Sequence, residues 1–354
     1  MSVALPRVLY SPHDEVRTRS ATQISMTTLV TGATGFLGSA VVRALLDRGE
    51  TVRVLVRRES DRRNIDGLDV EVVEGNLRDS ESLRRAVKGC RALYHAAADY
   101  RLWARDPGEL YEVNVTATRE LILTAADAGA ERIVYTSSVA TLGREPSGRP
   151  ADEQTPVTIH DMTGHYKRSK FLAEESVKQL IREQGVPVVI VNPSTIIGPR
   201  DIRPTPTGRM VAEAARGKIP AFVDTGLNVV HVDDVATGHV QAYDRGRIGE
   251  RYVLGGEDMM LREILAEIAN LVGRAPPRIR LPRGAVLPVA YLAEFVARAR
   301  RSHSEPLVTV DGIKMSKSFM FFSSDKAKAA IGYAPRPARQ ALADAVRWLQ
   351  DNGL

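Results

Sequence analysis

The sequence is nearly free of cysteine, with Cys90 the only one among 354 residues. A single thiol cannot build a disulfide framework within the chain, and it excludes a zinc site made of several cysteines. The histidines show no metal-ligand spacing either, so the sequence predicts no metal. Cys90 precedes an apolar run, and we interpret it as a small buried residue.

Long hydrophobic runs and basic blocks are also missing. No apolar run reaches the roughly 18–20 residues that span a bilayer. Residues 1–25 are polar and lack the apolar core of a secretory signal, so we expect a disordered extension there. The net charge of +6 comes from arginines spread along the chain, which argues against a nucleic-acid partner. These absences predict a cytoplasmic protein that acts on small molecules.

Up to Pro193 the chain alternates short β-rich runs with longer amphipathic patterns, which predicts a doubly wound parallel α/β sheet of Rossmann type. After Pro193, proline, glycine and charged residues interrupt the pattern, and we expect helices without regular strands. The predicted domains are the extension 1–25, a dinucleotide-binding domain 26–193, and a smaller, mainly helical substrate lobe 194–354 with some strand exchange back to the sheet. The predicted strands are Thr28–Thr31, Thr51–Val56, Val70–Val73, Ala92–His95, Arg132–Thr136 and Pro187–Val191, and the predicted helices are Leu37–Asp47, Ser80–Lys88, Pro107–Ala128 and Met162–Glu183.

One apolar segment near the C-terminus has two interpretations. Ala285–Ala297 is interrupted by Pro288 and followed by Arg298, Arg300 and Arg301. It is too short to cross a membrane, and we expect a core helix. The alternative is an interfacial helix with a basic flank, which would give weak contact with an anionic membrane surface, such as that of the inner membrane.

A glycine-rich turn follows the first predicted strand. In Thr31-Gly32-Ala33-Thr34-Gly35-Phe36-Leu37-Gly38 the glycines have the spacing G-x-x-G-x-x-G. Gly32 allows a tight turn, Gly35 lets the backbone approach a pyrophosphate, and Gly38 lets the helix pack on the strand. The N-terminus of the next helix presents free N–H groups to phosphates. The strand–turn–helix context predicts dinucleotide binding.

The end of the second strand indicates which dinucleotide binds. NAD sites usually place Asp or Glu there to bind the ribose 2′-OH, whereas this strand ends in Arg57-Arg58. Guanidinium groups suit a 2′-phosphate, so NADP(H) is favoured. NAD(H) remains the alternative, because Glu59 or Asp61 could reach back. Asn76-Leu77 closes the third strand, where an amide can face the adenine.

The pattern Tyr166-x-x-x-Lys170 lies in a predicted helix, and its spacing puts both side chains on one face. An ammonium group near the phenol, together with an oxidised nicotinamide, lowers the phenol pKa and makes it usable for acid/base chemistry. Ser137-Ser138 ends a strand, where a hydroxyl can donate to a substrate carbonyl oxygen. Asn114 is an amide in the middle of a helix, which hints at a role such as holding a water.

This ordered set resembles the extended short-chain dehydrogenase/reductase superfamily. The likeness includes His95-Ala96-Ala97-Ala98, Thr136-Ser137-Ser138 and Asn192-Pro193-Ser194. It implies the catalytic tetrad Asn114, Ser138, Tyr166 and Lys170, with Ser138 chosen because it precedes the small residues Val139-Ala140. The implied cofactor-binding residues are Gly32, Thr34, Gly35, Phe36, Leu37, Gly38, Arg57, Arg58, Asn76, Leu77, Ala96, Ala97, Ala98, Thr136, Ser137, Tyr166, Lys170, Pro193, Ser194 and Thr195.

Within the superfamily, Ala97–Trp103 and Phe322–Gly332 resemble the dihydroflavonol-reductase branch and hopanoid-associated proteins described as sugar epimerases. The likeness implies an NAD(P)-dependent oxidoreductase that acts on a carbonyl, sugar or polyol. The alternatives are an NAD-dependent sugar epimerase linked to hopanoid biosynthesis and, more distantly, a non-catalytic dinucleotide sensor. Tyr100, Trp103 and Ser138 are the expected substrate contacts. A homodimer through Pro107–Ala128 and the Tyr166 helix is expected by analogy.

Overall fold

A computed structural model of the chain describes residues 27–101, 106–145, 148–299 and 309–353. The expected extension 1–25 and the expected substrate contact Trp103 lie outside the described residues. The strands are β1 Thr27–Thr31, β2 Val52–Val56, β3 Val70–Glu74, β4 Cys90–His95, β5 Arg132–Thr136, β6 Val188–Pro193, β7 Thr195–Ile197, β8 Ala221–Phe222, β9 Gly226–His231, β10 Arg251–Leu254, β11 Glu257–Met260 and β12 Ile279–Arg280. The helices are α1 Phe36–Leu46, α2 Ser80–Val87, α3 Gly108–Tyr111, α4 Thr118–Asp127, α5 Gly164–Gln184, α6 Pro206–Ala215, α7 Val232–Arg245, α8 Leu261–Leu271, α9 Arg283–Ala299, α10 Val310–Met315, α11 Asp325–Ile331 and α12 Ala338–Asp351, with a π-helical segment Glu112–Ala117 between α3 and α4.

A seven-stranded sheet forms the centre of the molecule. Its strand order is β3-β2-β1-β4-β5-β6-β10, and every neighbouring pair is parallel. The predicted doubly wound parallel sheet is confirmed, as are the six predicted strands to within two residues at each end. The strand order reverses between β1 and β4, and ligands of such sheets bind outside the carboxyl ends of the strands at that point.

The central strands are apolar on both faces because helices cover both sides. Val30 points into the core formed with α1 and α7, where Val41 and Val235 are fully buried. Its neighbour Leu29 points the other way, into the core formed with α2, α4 and α5, which contains Leu83. Successive residues of β1 therefore anchor opposite helical layers, and this fixes the position of the turn that follows β1.

The expectation of helices without regular strands after Pro193 was wrong. Strands β7 and β9 pair in parallel and β11 adds to β9 antiparallel, while β8 pairs with β12. These strands are only two to six residues long, so the turn residues around them masked the pattern. Strand β10 returns to the central sheet and pairs with β6.

The expectation of a core helix at Ala285–Ala297 was also wrong, because α9 is covered on one face only. Ala290 is fully buried, and Glu294 on the same face accepts a hydrogen bond from the backbone N–H of Val310 at the start of α10. The opposite face is exposed: Val289, Leu292 and Phe295 are 57%, 63% and 69% accessible. Within the described ranges, no helix is both long and apolar enough to cross a bilayer.

Candidate active site and dinucleotide cleft

A cavity of about 1000 Å³ opens at the carboxyl ends of the central strands. It brings together most of the predicted site residues, which come from the turns after β1, β2, β3, β4, β5 and β6 and from α5. Of the predicted set, Arg58 and Asn114 do not line it. The predicted residues that line it are Gly32, Thr34, Gly35, Phe36, Leu37, Gly38, Arg57, Asn76, Leu77, Ala96, Ala97, Ala98, Tyr100, Thr136, Ser137, Ser138, Tyr166, Lys170, Pro193, Ser194 and Thr195.

The glycine-rich turn is shaped by close backbone contacts. Gly32 has φ +77°, and a Cβ there would lie 2.7 Å from the backbone nitrogen of Ala97. A Cβ on Gly38 would lie 2.1 Å from the carbonyl oxygen of Gly32, so only glycine lets α1 approach the turn. Gly35 caps α1 without a side-chain hydrogen bond, so the first N–H groups of the helix remain available to an anion. This turn fits a dinucleotide pyrophosphate.

The two adjacent arginines after β2 differ in their position relative to the cavity. Arg57 lines the cavity, with its Nε 3.5 Å from Glu59, whereas Arg58 is exposed outside it. Asp61 also lines the cavity, but Arg63 donates to both of its carboxylate oxygens. These hydrogen bonds lower the pKa of Asp61 to about 2. The carboxylate is thus ionised and already paired, while the Arg57 guanidinium is close to the cleft.

The residues after β3 and β6 form the two ends of the cleft. Asn76 lines it, and its Oδ1 accepts the backbone N–H of Arg78, which fixes the amide plane. Ser194 lines it near the end of β6, and its backbone N–H donates to Leu254. Among the described residues the buried Ser194 Oγ has no hydrogen-bond partner. A buried hydroxyl left unpaired is costly, so its position suits a polar ligand group such as the nicotinamide amide.

Tyr166 and Ser138 face each other in the same cavity. Burial raises the pKa of the Tyr166 phenol, and its hydrogen bond with the Ser138 hydroxyl works in the opposite direction. Ser138 caps a short 3₁₀ turn, since its Oγ accepts the N–H of Ala140 at 3.1 Å. Because its pKa is raised, the phenol is protonated at neutral pH, which suits a group that gives a proton to a substrate oxygen.

Lys170 lies one helical turn after Tyr166 and is 3% exposed. Its ammonium donates to the Thr136 carbonyl oxygen at 2.9 Å and to the Tyr135 hydroxyl at 3.3 Å. Burial lowers its pKa to about 8, with Glu174 opposing the shift. The ammonium is thereby fixed at the end of β5, where it lines the cavity and remains charged at neutral pH.

A buried carboxylate supports this arrangement and was missed from the sequence. Glu174 is 1% exposed and accepts hydrogen bonds from Ser137, Thr141 and Asn192 at 2.5, 2.7 and 2.8 Å. Burial alone would raise its pKa, but Lys178, the Ser137 hydroxyl and Arg251 outweigh it and lower the pKa to about 2. The signal in the sequence was a glutamate on the buried face of α5, four residues after Lys170.

The hydrogen bond to Glu174 also shows which of the two adjacent serines is free to face the cavity. Ser137 Oγ is committed to Glu174, whereas Ser138 Oγ faces the Tyr166 phenol. The expected preference for Ser138 as the substrate-facing hydroxyl agrees with this geometry.

Asn114 lies behind the cavity wall, in the π-helical segment, and is 2% exposed. Its Oδ1 accepts the N–H of Asp99, and its Nδ2 donates to the Asp99 carbonyl and to Ser169 Oγ. All of these partners are protein atoms. The amide therefore joins the loop after β4 to α5, and its expected catalytic role stays a prediction.

Several lining residues were missed, most of them because they lie far along the chain from the motifs. Their signal was weak: a lysine inside the Tyr-x-x-x-Lys motif, and single residues in the short strands and irregular segments after Pro193. They include Lys167, Ile196, Ile202, Arg203, Leu227 and Met320.

Comparisons with known proteins agree with this geometry. Residues 28–255 match the NAD dependent epimerase/dehydratase family. The chain is 43% identical to a putative dihydroflavonol 4-reductase of Synechocystis sp., over 92% of this chain and 94% of the relative. It is 39% identical to sterol demethylase protein B of Methylococcus capsulatus, over 93% and 100%. The crystal structure of gox2253 matches with a TM-score of 0.83 and 52% identity, over 92% and 98%. The chain therefore belongs to the NAD dependent epimerase/dehydratase family and is an NAD(P)-dependent oxidoreductase of the extended short-chain dehydrogenase/reductase type.

Proposed function

We propose that this protein is an NADP(H)-dependent reductase that interconverts a ketone or aldehyde and the corresponding alcohol. The observation that carries the proposal is a single cavity lined both by the glycine turn and by the Tyr166–Ser138–Lys170 group. The backbone N–H groups at the turn suit the phosphates of a dinucleotide, and the side chains of Tyr166, Ser138 and Lys170 suit acid/base chemistry on a substrate oxygen.

In this mechanism the bound nicotinamide supplies or accepts the hydride. Tyr166 donates its phenolic proton to the substrate oxygen as the carbonyl carbon is reduced, and takes the proton back in the oxidation. Ser138 donates a hydrogen bond to the same oxygen and stabilises the charge that develops there. Lys170, fixed by the Thr136 carbonyl, stabilises the phenolate that forms.

The NADP(H) preference rests on Arg57. We expect Arg57→Ala to raise the dissociation constant for NADPH about 10- to 100-fold, the effect of one hydrogen bond to a charged group, and to leave NADH binding nearly unchanged. Arg58→Ala is the matched control, because Arg58 is exposed outside the cavity. Titration of nucleotide fluorescence measures both constants, and equal losses for the two nucleotides in Arg57→Ala would contradict the assignment.

The principal alternative is an NAD-dependent sugar epimerase, which the family description allows. Such an enzyme keeps its dinucleotide bound, because the hydride returns to the same substrate. Purification followed by analysis of released nucleotide distinguishes the two. We expect an empty protein whose thermal stability rises with NADPH more than with NADH. Copurified NAD that resists exchange would favour the epimerase.

The cavity wall includes side chains that suit an apolar substrate body. Ile202, Leu227 and Met320 line this wall, together with the half-exposed Tyr100. The name of one relative refers to a sterol. We propose a carbonyl or alcohol on a mainly apolar skeleton, with polyols and sugars as the alternative.

We also propose that the exposed face of α9, formed by Val289, Leu292 and Phe295, docks on an anionic lipid surface. Charge supports this occupant, because Arg278 and Arg280 precede the helix and Arg298, Arg300 and Arg301 occur from its end onward. An apolar face with a basic flank is typical of interfacial helices.

We expect the wild-type protein to co-sediment at low salt with vesicles of equimolar phosphatidylglycerol and phosphatidylcholine. The double variant L292E/F295E should bind at least about tenfold more weakly, since each exposed apolar side chain contributes about 1.5–3 kcal/mol when buried. Ile248→Glu, at an exposed site elsewhere, is the control. Absence of binding by the wild type would refute this docking. A dimer seen by light scattering and lost in the double variant would assign the face to a second copy instead.

A further inference from the structure

Lys167 is a buried cation that the reductase mechanism does not use. It is 5% exposed, lines the cavity and directly follows Tyr166 in α5. Among the described residues, no hydrogen bond or ion pair joins its ammonium to another side chain. Lysine is almost never fully buried without a partner, so this position needs an explanation.

No anion within the part of the chain that the structure describes compensates the charge of Lys167. Burial lowers its pKa to about 8, and Arg144 lowers it further rather than opposing the shift. The carboxylates that line the cavity pair with other cations: Asp61 with Arg63, and both Asp99 and Glu109 with Arg101. Arg144 has the carboxylate of Asp161 near it, whereas Lys167 has no such neighbour among the described residues, and an anion bound at Lys167 would relieve the cost of burying its ammonium.

The position of Lys167 assigns it to the substrate rather than to the cofactor. The phosphates of a dinucleotide fit the glycine turn after β1, whereas Lys167 lies in α5 directly after Tyr166. Arg144, which is close to Lys167, donates to Ser318 at 2.8 Å, and Ser318 is two residues before Met320 of the apolar wall. Lys167 therefore lies where the catalytic helix meets the C-terminal lobe.

We propose that Lys167 binds an anionic oxygen group, a carboxylate or a phosphate, on the substrate near the carbon that is oxidised or reduced. This inference rests on the proposed function and names the substrate class: an apolar molecule that carries an acid group beside the reacting alcohol or ketone. The ammonium donates to the anion while the neighbouring phenol contacts the reacting oxygen. Lys167 thereby selects acids over neutral alcohols and fixes the orientation of the reacting carbon.

The test compares an acid with its neutral counterpart on the NADP⁺-loaded protein. The probes are 3-hydroxydodecanoate, the methyl ester of that acid and dodecyl phosphate, titrated by calorimetry. We expect the wild type to bind both anions more tightly than the ester. Lys167→Met should weaken the binding of the anions about 10- to 100-fold and leave the ester unchanged. Lys167→Arg should restore most of the affinity, and Lys88→Met, at an exposed site beyond the cavity, should have no effect.

A second readout does not depend on any variant. Acetic anhydride should acetylate Lys167, and mass spectrometry of the digested wild-type protein should show protection by 3-hydroxydodecanoate and not by the ester. Equal affinity of acid and ester, or equal acetylation with both, would overturn the inference. If the protein in that case still reduced neutral ketones with NADPH, the proposed reductase function would stand. Failure to bind either nucleotide would instead overturn the proposed reductase function. The acid titration on the nucleotide-free protein would still test anion binding by Lys167.

Discussion

Replacing Tyr166 by phenylalanine should lower kcat about a hundred- to ten-thousand-fold, which is the usual contribution of a positioned general acid or base. The substitution removes one oxygen and keeps the ring, so the packing of α5 should persist. Ser138 would still contact the substrate oxygen, but no group would deliver the proton. We expect the dissociation constant for NADPH to stay within about threefold of the wild type, because the substitution removes at most one hydrogen bond worth less than about 1 kcal/mol.

Single-turnover kinetics with preloaded NADPH measures the chemical step directly. Tyr111→Phe is the matched control: Tyr111 lies in α3, and its hydroxyl contacts His165 at 3.1 Å outside the cavity. That variant should turn over at the wild-type rate. A Tyr166→Phe protein with full activity would refute the acid/base assignment, and a loss of NADPH binding in the same variant would show that the phenol acts mainly in cofactor binding.

Replacing Gly32 by alanine should have the largest effect on the dinucleotide site. The left-handed backbone costs an ordinary residue about 1–2 kcal/mol, and the new Cβ would also meet the backbone of Ala96 and Ala97 at 2.7–2.9 Å. Because that backbone continues from buried β4, it cannot move without disturbing the sheet. We expect a loss of about 3 kcal/mol or more in the free energy of unfolding and no measurable NADPH binding.

Gly49 provides the control for this prediction. It has φ +73°, close to the +77° of Gly32, but a Cβ there would meet no atom within 4 Å. Gly49→Ala should therefore lose only the conformational cost and bind NADPH normally. Thermal unfolding of both variants with and without NADPH separates the two contributions. Equal destabilisation of the two variants would mean that the contact with Ala96 and Ala97 does not contribute to the loss in the free energy of unfolding.

The first half of the fold was predictable because its signals are local. β6 begins with the continuous apolar run Val188–Val191, and this pattern is typical of strands buried on both faces. The turn at Gly32 needs a positive φ, and the glycine at this position indicates it. The Tyr166–Lys170 spacing follows from helix geometry alone.

The parts that were missed depend on contacts between distant segments. No local pattern shows that Glu174 meets Asn192, or that Lys167 has no carboxylate beside it. Helix α9 illustrates the reverse error: its apolar residues fit a core helix equally well, and only the packing of Ala290 and Glu294 shows which face is covered. Short strands such as β7 carry too few residues for a period of two to be detected.

The seventh strand has a consequence for the order in which the chain can fold. β10 covers the outer edge of β6, and its first residue, Arg251, contributes an ion pair at 3.0 Å to Glu174 beside the catalytic helix. As the protein is synthesised, β6 therefore keeps an open edge and Glu174 lacks Arg251 until Leu254 has left the ribosome. A fragment that ends at Pro193 should be aggregation-prone. The helix that carries Tyr166 and Lys170 therefore gains an ion pair from a strand that lines no part of the cavity.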